Sequence, residues 1–234
     1  MMRRTPNDKF QDKALFPWKA TLPIKFFIGA GVILATFLPT VYARILGIAM
    51  IGSTVLKSIL ARLNLYKDPL TKLVLPGRKH AEIEGDYVVF LIGARANKSV
   101  DGYFKWIGDA FGEMIEELES DPSLGYLGSE GFVGATGTIS VQYWKTAKEL
   151  NAWASSSMKH SPVWKKMMQK GKECSDYGFW HETHEVKAGR YETVYVNMPP
   201  MMLGNCRNVK LADIMSSHRY NSAAGRMGGD KKEH

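Results

Sequence analysis

The side chains best equipped for chemistry gather in His181-Glu-Thr-His-Glu185, where two imidazoles and two carboxylates crowd into five residues. Such a set suits a metal ion. The flanking residues Phe179, Trp180 and Val186, with Thr183 between, are aromatic or β-branched and predict a strand. Side chains alternate on a strand, so His181, Thr183 and Glu185 share one face and Trp180, Glu182 and His184 the other. The two histidines therefore cannot meet at one ion without a bulge, and their spacing departs from the helical His-Glu-x-x-His pattern. Ordinary sheet surface is the plainer expectation, with Glu182 and His184 as candidate pocket-lining residues. Arg95 and Asn97 are alternate residues at the end of another extended run, where guanidinium and amide donors would hold a carbonyl or enolate; an ordinary salt bridge is the bland alternative. His160 lies where a helix breaks, and suits a base, a proton shuttle, a haem ligand or a helix C-terminal cap.

The elements that must position these residues follow one another from Gly85. Asp86-Tyr-Val-Val-Phe-Leu-Ile-Gly-Ala-Arg95 is a strand apolar on both faces, hence covered on both. Residues 101–119 carry Phe104, Ile107, Phe111, Met114, Ile115 and Leu118 at helical spacing, with Asp109, Glu113, Glu116, Glu117 and Glu119 mostly opposite, and Asp121-Pro122 stops the helix. Gly125–Phe132 and Thr138–Lys145 read as strands around a glycine-rich turn. A second helix starts near Ala147, breaks near Ser161-Pro162 and continues through Trp164. Two extended segments, Phe179–Val186 and Tyr191–Met198, then flank a Lys187-Ala188-Gly189 turn. Strand, helix, strand, strand, helix, strand is the split βαβ order of an α+β, ferredoxin-like βαββαβ sheet with both helices on one face. Its other face must be buried by a partner or line a cavity. In the third strand Ile139, Val141 and Tyr143 are expected under the helices, and Thr138, Ser140, Gln142 and Trp144 in a wet, aromatic pocket with Trp153 as a further wall.

The 234 residues exceed what this domain needs. Residues 1–22 form a basic arm and 23–66 a hydrophobic anchor. Within the anchor, Phe26–Ala43 is uncharged and close to the minimum of about 17 residues for crossing a bilayer core, while Ile45–Leu56, beyond Arg44, is too short to span alone. Residues 67–81, with Pro69, Pro76 and Gly77, read as a linker, 82–203 as the α+β domain and 204–234 as a tail, mobile from Ser216. A formal charge of +8, concentrated beside the apolar run, suits anionic lipid better than nucleic acid, for which there is no recognition motif. Cys174 and Cys206 make neither a disulfide framework nor a thiolate metal site. Asn97-Lys98-Ser99 is a glycosylation sequon, and a glycan at a working pocket mouth would block it, so if Arg95 and Asn97 function the domain belongs in the cytosol; a single span would put it in the lumen instead, and a hairpin or in-plane anchor over residues 23–66 is the expectation that reconciles the two.

Several segments together resemble the small monooxygenase-like family that includes the fumagillin-pathway monooxygenase of filamentous fungi. They are Asp86 to Asn97, Gly125-Tyr-Leu-Gly-Ser-Glu130, Val141-Gln-Tyr-Trp-Lys145, His160-Ser-Pro-Val-Trp164, and Trp180-His-Glu-Thr183 through Gly189-Arg-Tyr-Glu192 to Tyr195-Val-Asn-Met-Pro199. The resemblance covers about residues 82–203. It implies a dimeric α+β barrel, a homodimer with facing sheets, akin to the antibiotic-biosynthesis monooxygenases. It also implies oxygenation of a lipophilic terpenoid or polyketide intermediate in secondary metabolism. Relatives of that fold work without metal or flavin or bind haem through a helix-borne histidine, so a cofactor-free oxygenase, a haem enzyme with His160 or His184 as axial ligand, and a non-catalytic carrier all stand as expectations. A membrane location, at the endoplasmic reticulum with the barrel facing the cytosol, completes the reading.

Overall fold

The structure, a computed structural model, describes residues 31–33, 36–37, 40–66, 73–97, 102–134, 137–173 and 177–227. These residues fall in two units, divided at Val74. In the first, helix α1 (Thr40–Arg62) has no buried residue and is long and apolar enough to cross a membrane by length and composition. The helix passes through Arg44 without interruption, which corrects the expectation that Ile45–Leu56 stands as a separate short run. Arginine is a good helix former, and its long stem carries the charge away from the apolar surface. Inside the helix, Ser53 and Thr54 both donate to the Met50 carbonyl and Ser58 to that of Thr54, so these hydroxyls are satisfied without solvent. Half of the other expected run, Phe26–Ala43, and the whole arm lie outside the described residues.

The second unit is α+β with two antiparallel sheets. Strands β2 (Tyr87–Ala96), β3 (Tyr126–Gly134), β4 (Gly137–Trp144) and β5 (Tyr177–Val186) form a four-stranded sheet in the order β3-β4-β2-β5. Helix α2 (Gly102–Ser120) joins β2 to β3; α3 (Ala147–Ser156) and α4 (His160–Glu173) join β4 to β5. Thr146 caps α3 by accepting from the Glu149 amide while its own hydroxyl donates to the Glu149 carboxylate, a reciprocal arrangement at the helix start. On α2 the residues Met114, Ile115 and Leu118 are buried against Val88, Tyr126, Trp144, Leu150 and Trp153.

That core overturns the expected faces of the third strand. Register pairs Val88 with Trp144 and Phe90 with Gln142, so the even-numbered side chains of β4 lie under the helices. Trp144 is fully buried there, and Gln142 and Ser140 are buried beside it; none lines a wet pocket. Their polarity misleads because much of it is satisfied internally: Trp144 Nε1 donates to Gln142 Oε1 at 3.1 Å, and next door the Tyr126 hydroxyl donates to Ser129 Oγ at 2.6 Å. Trp153 belongs to the same core. Ile139, Val141 and Tyr143 point the other way.

The residues on that other side meet a second sheet. Strands β1 (Leu75–Ile83), β6 (Tyr195–Met198) and β7 (Val209–Asp213) pair in the order β6-β1-β7. Three expectations are corrected here. The end of the expected 67–81 linker is strand β1, and Tyr191–Met198 does not pair back onto β5 but crosses to the second sheet. The region after Asn208 supplies β7, three-ten turns and a terminal helix, α5 (Ala223–Arg226), rather than a loose tail. Gly189, at φ 71°, lets the chain turn between the sheets, with the Arg190 amide donating to the Lys187 carbonyl. The long-range bonds are specific: Ala81 N donates to Thr193 Oγ1, Ile83 N to Tyr191 Oη, and Arg226 pairs with Glu192. Between the sheets Tyr87, Leu127, Val141, Tyr143, Leu203 and Cys206 form a second core.

Candidate active site

The outer face of the four-stranded sheet is therefore covered over part of its area and open over the rest. Its covered part is rich in phenols. Burial pushes Tyr87 and Tyr143 well above the ordinary tyrosine range and does the same to the Cys206 thiol, which donates to the Met202 carbonyl; these groups stay protonated. Glu130, also facing this layer, accepts from the Met202 amide at 2.8 Å, and burial raises its pKa despite that bond. Met202 sits at φ 52°, an uncommon conformation for a side chain of its kind, and the carboxylate bond holds the turn there.

The open part carries four of the residues selected from the sequence. Register places Val89 opposite His184, Leu91 opposite Glu182, Gly93 opposite Trp180 and Arg95 opposite Gly178 on one face. His184 Nε2 and Glu182 Oε2 lie 3.0 Å apart, both side chains more than half exposed. Arg95 and Asn97 converge above Gly178, where an added Cβ would lie 3.4 Å from Asn97 Nδ2 and 3.7 Å from Arg95 Cγ. A groove of about 330 Å³ opens beside them, lined by Arg95, Phe132, Ile139 and Trp180 together with Ala94 and Thr138. Phe132 and Trp180 are 43% and 44% exposed, a high figure for aromatic rings on a sheet.

The other four selected residues lie beneath the helices. His160 opens α4, and its Nδ1–H donates to the Ala154 carbonyl at 2.7 Å, a last-turn carbonyl of α3. The carbonyl can only accept, so the proton is on Nδ1, and the cap alternative is the one this geometry fits. The ring packs against Trp153 at 5.1 Å and Trp164 at 6.4 Å, in an aromatic series that continues to Trp144 and Phe179. With Nδ1 committed to the Ala154 carbonyl and two tryptophans beside the ring, His160 has the surroundings of a packing residue and not of a haem ligand; His184 is instead engaged with Glu182. Gln142, Trp144 and Trp153 are separated from the groove by the sheet itself.

Sequence reasoning passed over three residues that the geometry singles out. Glu117, counted among outward-facing acids, turns inward: Ser157 Oγ donates to its Oε2 at 2.7 Å and Trp153 Nε1 at 3.2 Å, while Ser157 in turn accepts from the His160 amide. Trp180 was placed on the correct face but not selected. Gly93 was the available signal, since a glycine inside a strand marks a close approach. A Cβ there would lie 2.6 Å from Trp180 Nε1.

Comparisons with known proteins bear on this arrangement. No curated protein matches the sequence. Among solved structures the chain is similar to an aldoxime dehydratase crystallised with butyraldoxime, at 16% identity and a TM-score of 0.46, over 58% of this chain and 40% of that one. The chain thus spans well under half the length of that enzyme. The family described as Monooxygenase af470-like matches residues 87–203, half of the 234-residue chain, and the match runs from the first residue of β2 through the turn at Met202. The chain belongs to the monooxygenase af470-like family.

Proposed function

We propose that the protein is a membrane-tethered monooxygenase whose lipophilic substrate, a terpenoid or polyketide intermediate of secondary metabolism, binds on the open face of the four-stranded sheet. The observation that carries this is the convergence on one face of an apolar aromatic groove with Arg95, Asn97, Glu182 and His184. Arg95 and Asn97 supply donors for a substrate carbonyl or enolate, and the Glu182–His184 pair supplies a proton acceptor. His160 acts from the helix side as a positioning residue, holding α3 and α4 together. Family membership supports an oxygenating enzyme; the chemistry is taken to be cofactor-free.

Two further parts of the reading have their own support. The strand order β3-β4-β2-β5, with helices joining β2 to β3 and β4 to β5, supports a ferredoxin-like sheet, and the half-exposed Phe132 and Trp180 support a homodimer in which a second copy covers the open part as a barrel. Helix α1 supports the tether, with the endoplasmic reticulum and a cytosolic catalytic domain as the proposed setting.

Oxygen uptake by the full chain in lipid nanodiscs, offered a panel of terpenoid and polyketide intermediates, tests the function. The expected result is oxygen consumption with a product that has gained one oxygen atom and lost two hydrogens, the second oxygen atom leaving as water on electrons from the substrate itself, abolished or strongly reduced in Arg95→Gln. Substrate binding without oxygen consumption would leave a carrier in place of an enzyme. Attachment of a glycan at Asn97 in a eukaryotic host would overturn the cytosolic placement.

A further inference from the structure

Resting on the reading that the open face is the substrate site, we propose that its groove selects a planar, apolar ligand bearing a carboxylate, with the ring on Trp180 and the carboxylate on Arg95.

The floor comes first. Gly93 has no side chain, and the Trp180 indole fills the space where one would be: an added Cβ would lie 2.6 Å from its Nε1 and 2.7 Å from its Cε2. The indole therefore lies close against the backbone of β2, yet it remains 44% exposed, which leaves part of its surface to solvent. A ring held down on one side and free on the other is a stacking platform for a flat ligand. Phe132 and Ile139 continue the apolar lining.

The cation comes second. Gly137, at φ 143°, brings the β3–β4 hairpin so close to β2 that an added Cβ would lie 2.5 Å from the Ala94 carbonyl oxygen and 3.0 Å from Arg95 Cβ. The root of the Arg95 side chain is thereby fixed at the groove. Among the described residues no carboxylate pairs with its guanidinium. The nearest acid on β5 of the same face, Glu182, sits four residues from the Gly178 opposite Arg95, about 13 Å along the strand, and is engaged with His184. Among the described residues the groove thus has a hydrophobic body and, at one end, one cation with no carboxylate on it. A single arginine fork matches a carboxylate in two parallel bonds, whereas a phosphate group would call for further positive charge that the lining lacks.

Two water-soluble probes of the same shape test this: 2-naphthoate and 2-naphthamide, titrated by ligand-observed saturation-transfer NMR onto the full chain in nanodiscs. The expected result is binding of both, with naphthoate about tenfold tighter. Arg95→Gln removes that preference and leaves naphthamide unchanged, Arg95→Lys retains part of it, and Trp180→Ala weakens both probes. All three variants alter exposed side chains, so folding is retained. Equal binding of the two probes, or a loss of both in Arg95→Gln, overturns carboxylate selection while the open-face site stands. Binding of neither, or binding untouched by Trp180→Ala, overturns the selection and the site together.

Discussion

The two faces of the four-stranded sheet use similar residues for opposite ends. Under the helices, Trp144, Trp153, Gln142 and His160 are tied to one another and to Glu117 by rings and hydrogen bonds, with most polar atoms answered inside the layer. On the outer face, Trp180, Arg95, Asn97, Glu182 and His184 are largely exposed, and the backbone beneath them is cut back to glycine at 93 and 178. Histidine and tryptophan occur in both places, so residue type does not separate structure from chemistry. Completeness of the surroundings does: a side chain whose partners are all present has no capacity left for a ligand.

The comparison is broken most directly by truncating one tryptophan on each face. Trp144→Ala removes a fully buried indole that packs edge-on against Tyr126 at 5.4 Å, and should cost about 3–5 kcal/mol in denaturant unfolding. Trp180→Ala should cost about 1 kcal/mol or less and weaken ligand binding. A large loss of stability from the second variant, or a binding defect in a folded form of the first, would erase the distinction. Next in size is Glu117→Ala. Its carboxylate accepts from both Trp153 and the buried Ser157, so removal strands two donors and should cost about 1–3 kcal/mol. Glu117→Gln keeps an acceptor and should recover most of that in the same denaturation experiment.

The sequence made the helix layer legible in part and the outer layer hardly at all. Met114, Ile115 and Leu118 recur at the helical period, and α2 buries them as the pattern requires. The alternation along β4 separates its two sets of side chains but carries no information on which set the helices cover. Gln142 and Ser140 made the buried set look solvated, although Gln142 is answered by Trp144 and the Ser140 hydroxyl is buried without a partner among the described residues. Strand β1 was less visible still: Leu75-Pro-Gly-Arg-Lys-His-Ala-Glu-Ile83 has the composition of a linker. What holds it is distant in the chain, as when His80 stacks on Tyr191 at 5.9 Å and Lys79 pairs with Asp213 at 2.8 Å. Local propensity is silent about such contacts. Of the candidate site, Arg95, Asn97, Glu182 and His184 were readable as one surface only once β2 and β5 were known to be neighbours.

A smaller effect distinguishes the covered part of the outer face from the open part. Burial raises the Glu130 pKa above its unfolded value of about 4.3, so the folded protein binds this proton more tightly than the unfolded chain does. The associated stability is fully present below the unfolded pKa and is lost as pH rises through the folded one. Glu130→Gln keeps an acceptor for the Met202 amide and removes the ionisation. Unfolding midpoints measured between pH 4 and 7 should therefore fall less with rising pH in the variant, which should be slightly the more stable protein at pH 7. A wild-type stability that climbs over that range through this residue would mean that the Met202 bond outweighs burial.

The smallest stability effect belongs to His184, and its smallness is the point. Its contact with Glu182 is made by two side chains more than half exposed, and a solvated pair of this kind contributes little to folding. His184→Gln should leave the unfolding midpoint unchanged. If the open face is the working surface, the same substitution should lower kcat and remove from its pH profile the limb that reports loss of a basic group, whereas His160→Gln should lower stability by releasing the Ala154 carbonyl and leave the shape of that profile intact. The opposite pairing, with the pH profile following His160 and the stability following His184, would exchange the roles of the two faces.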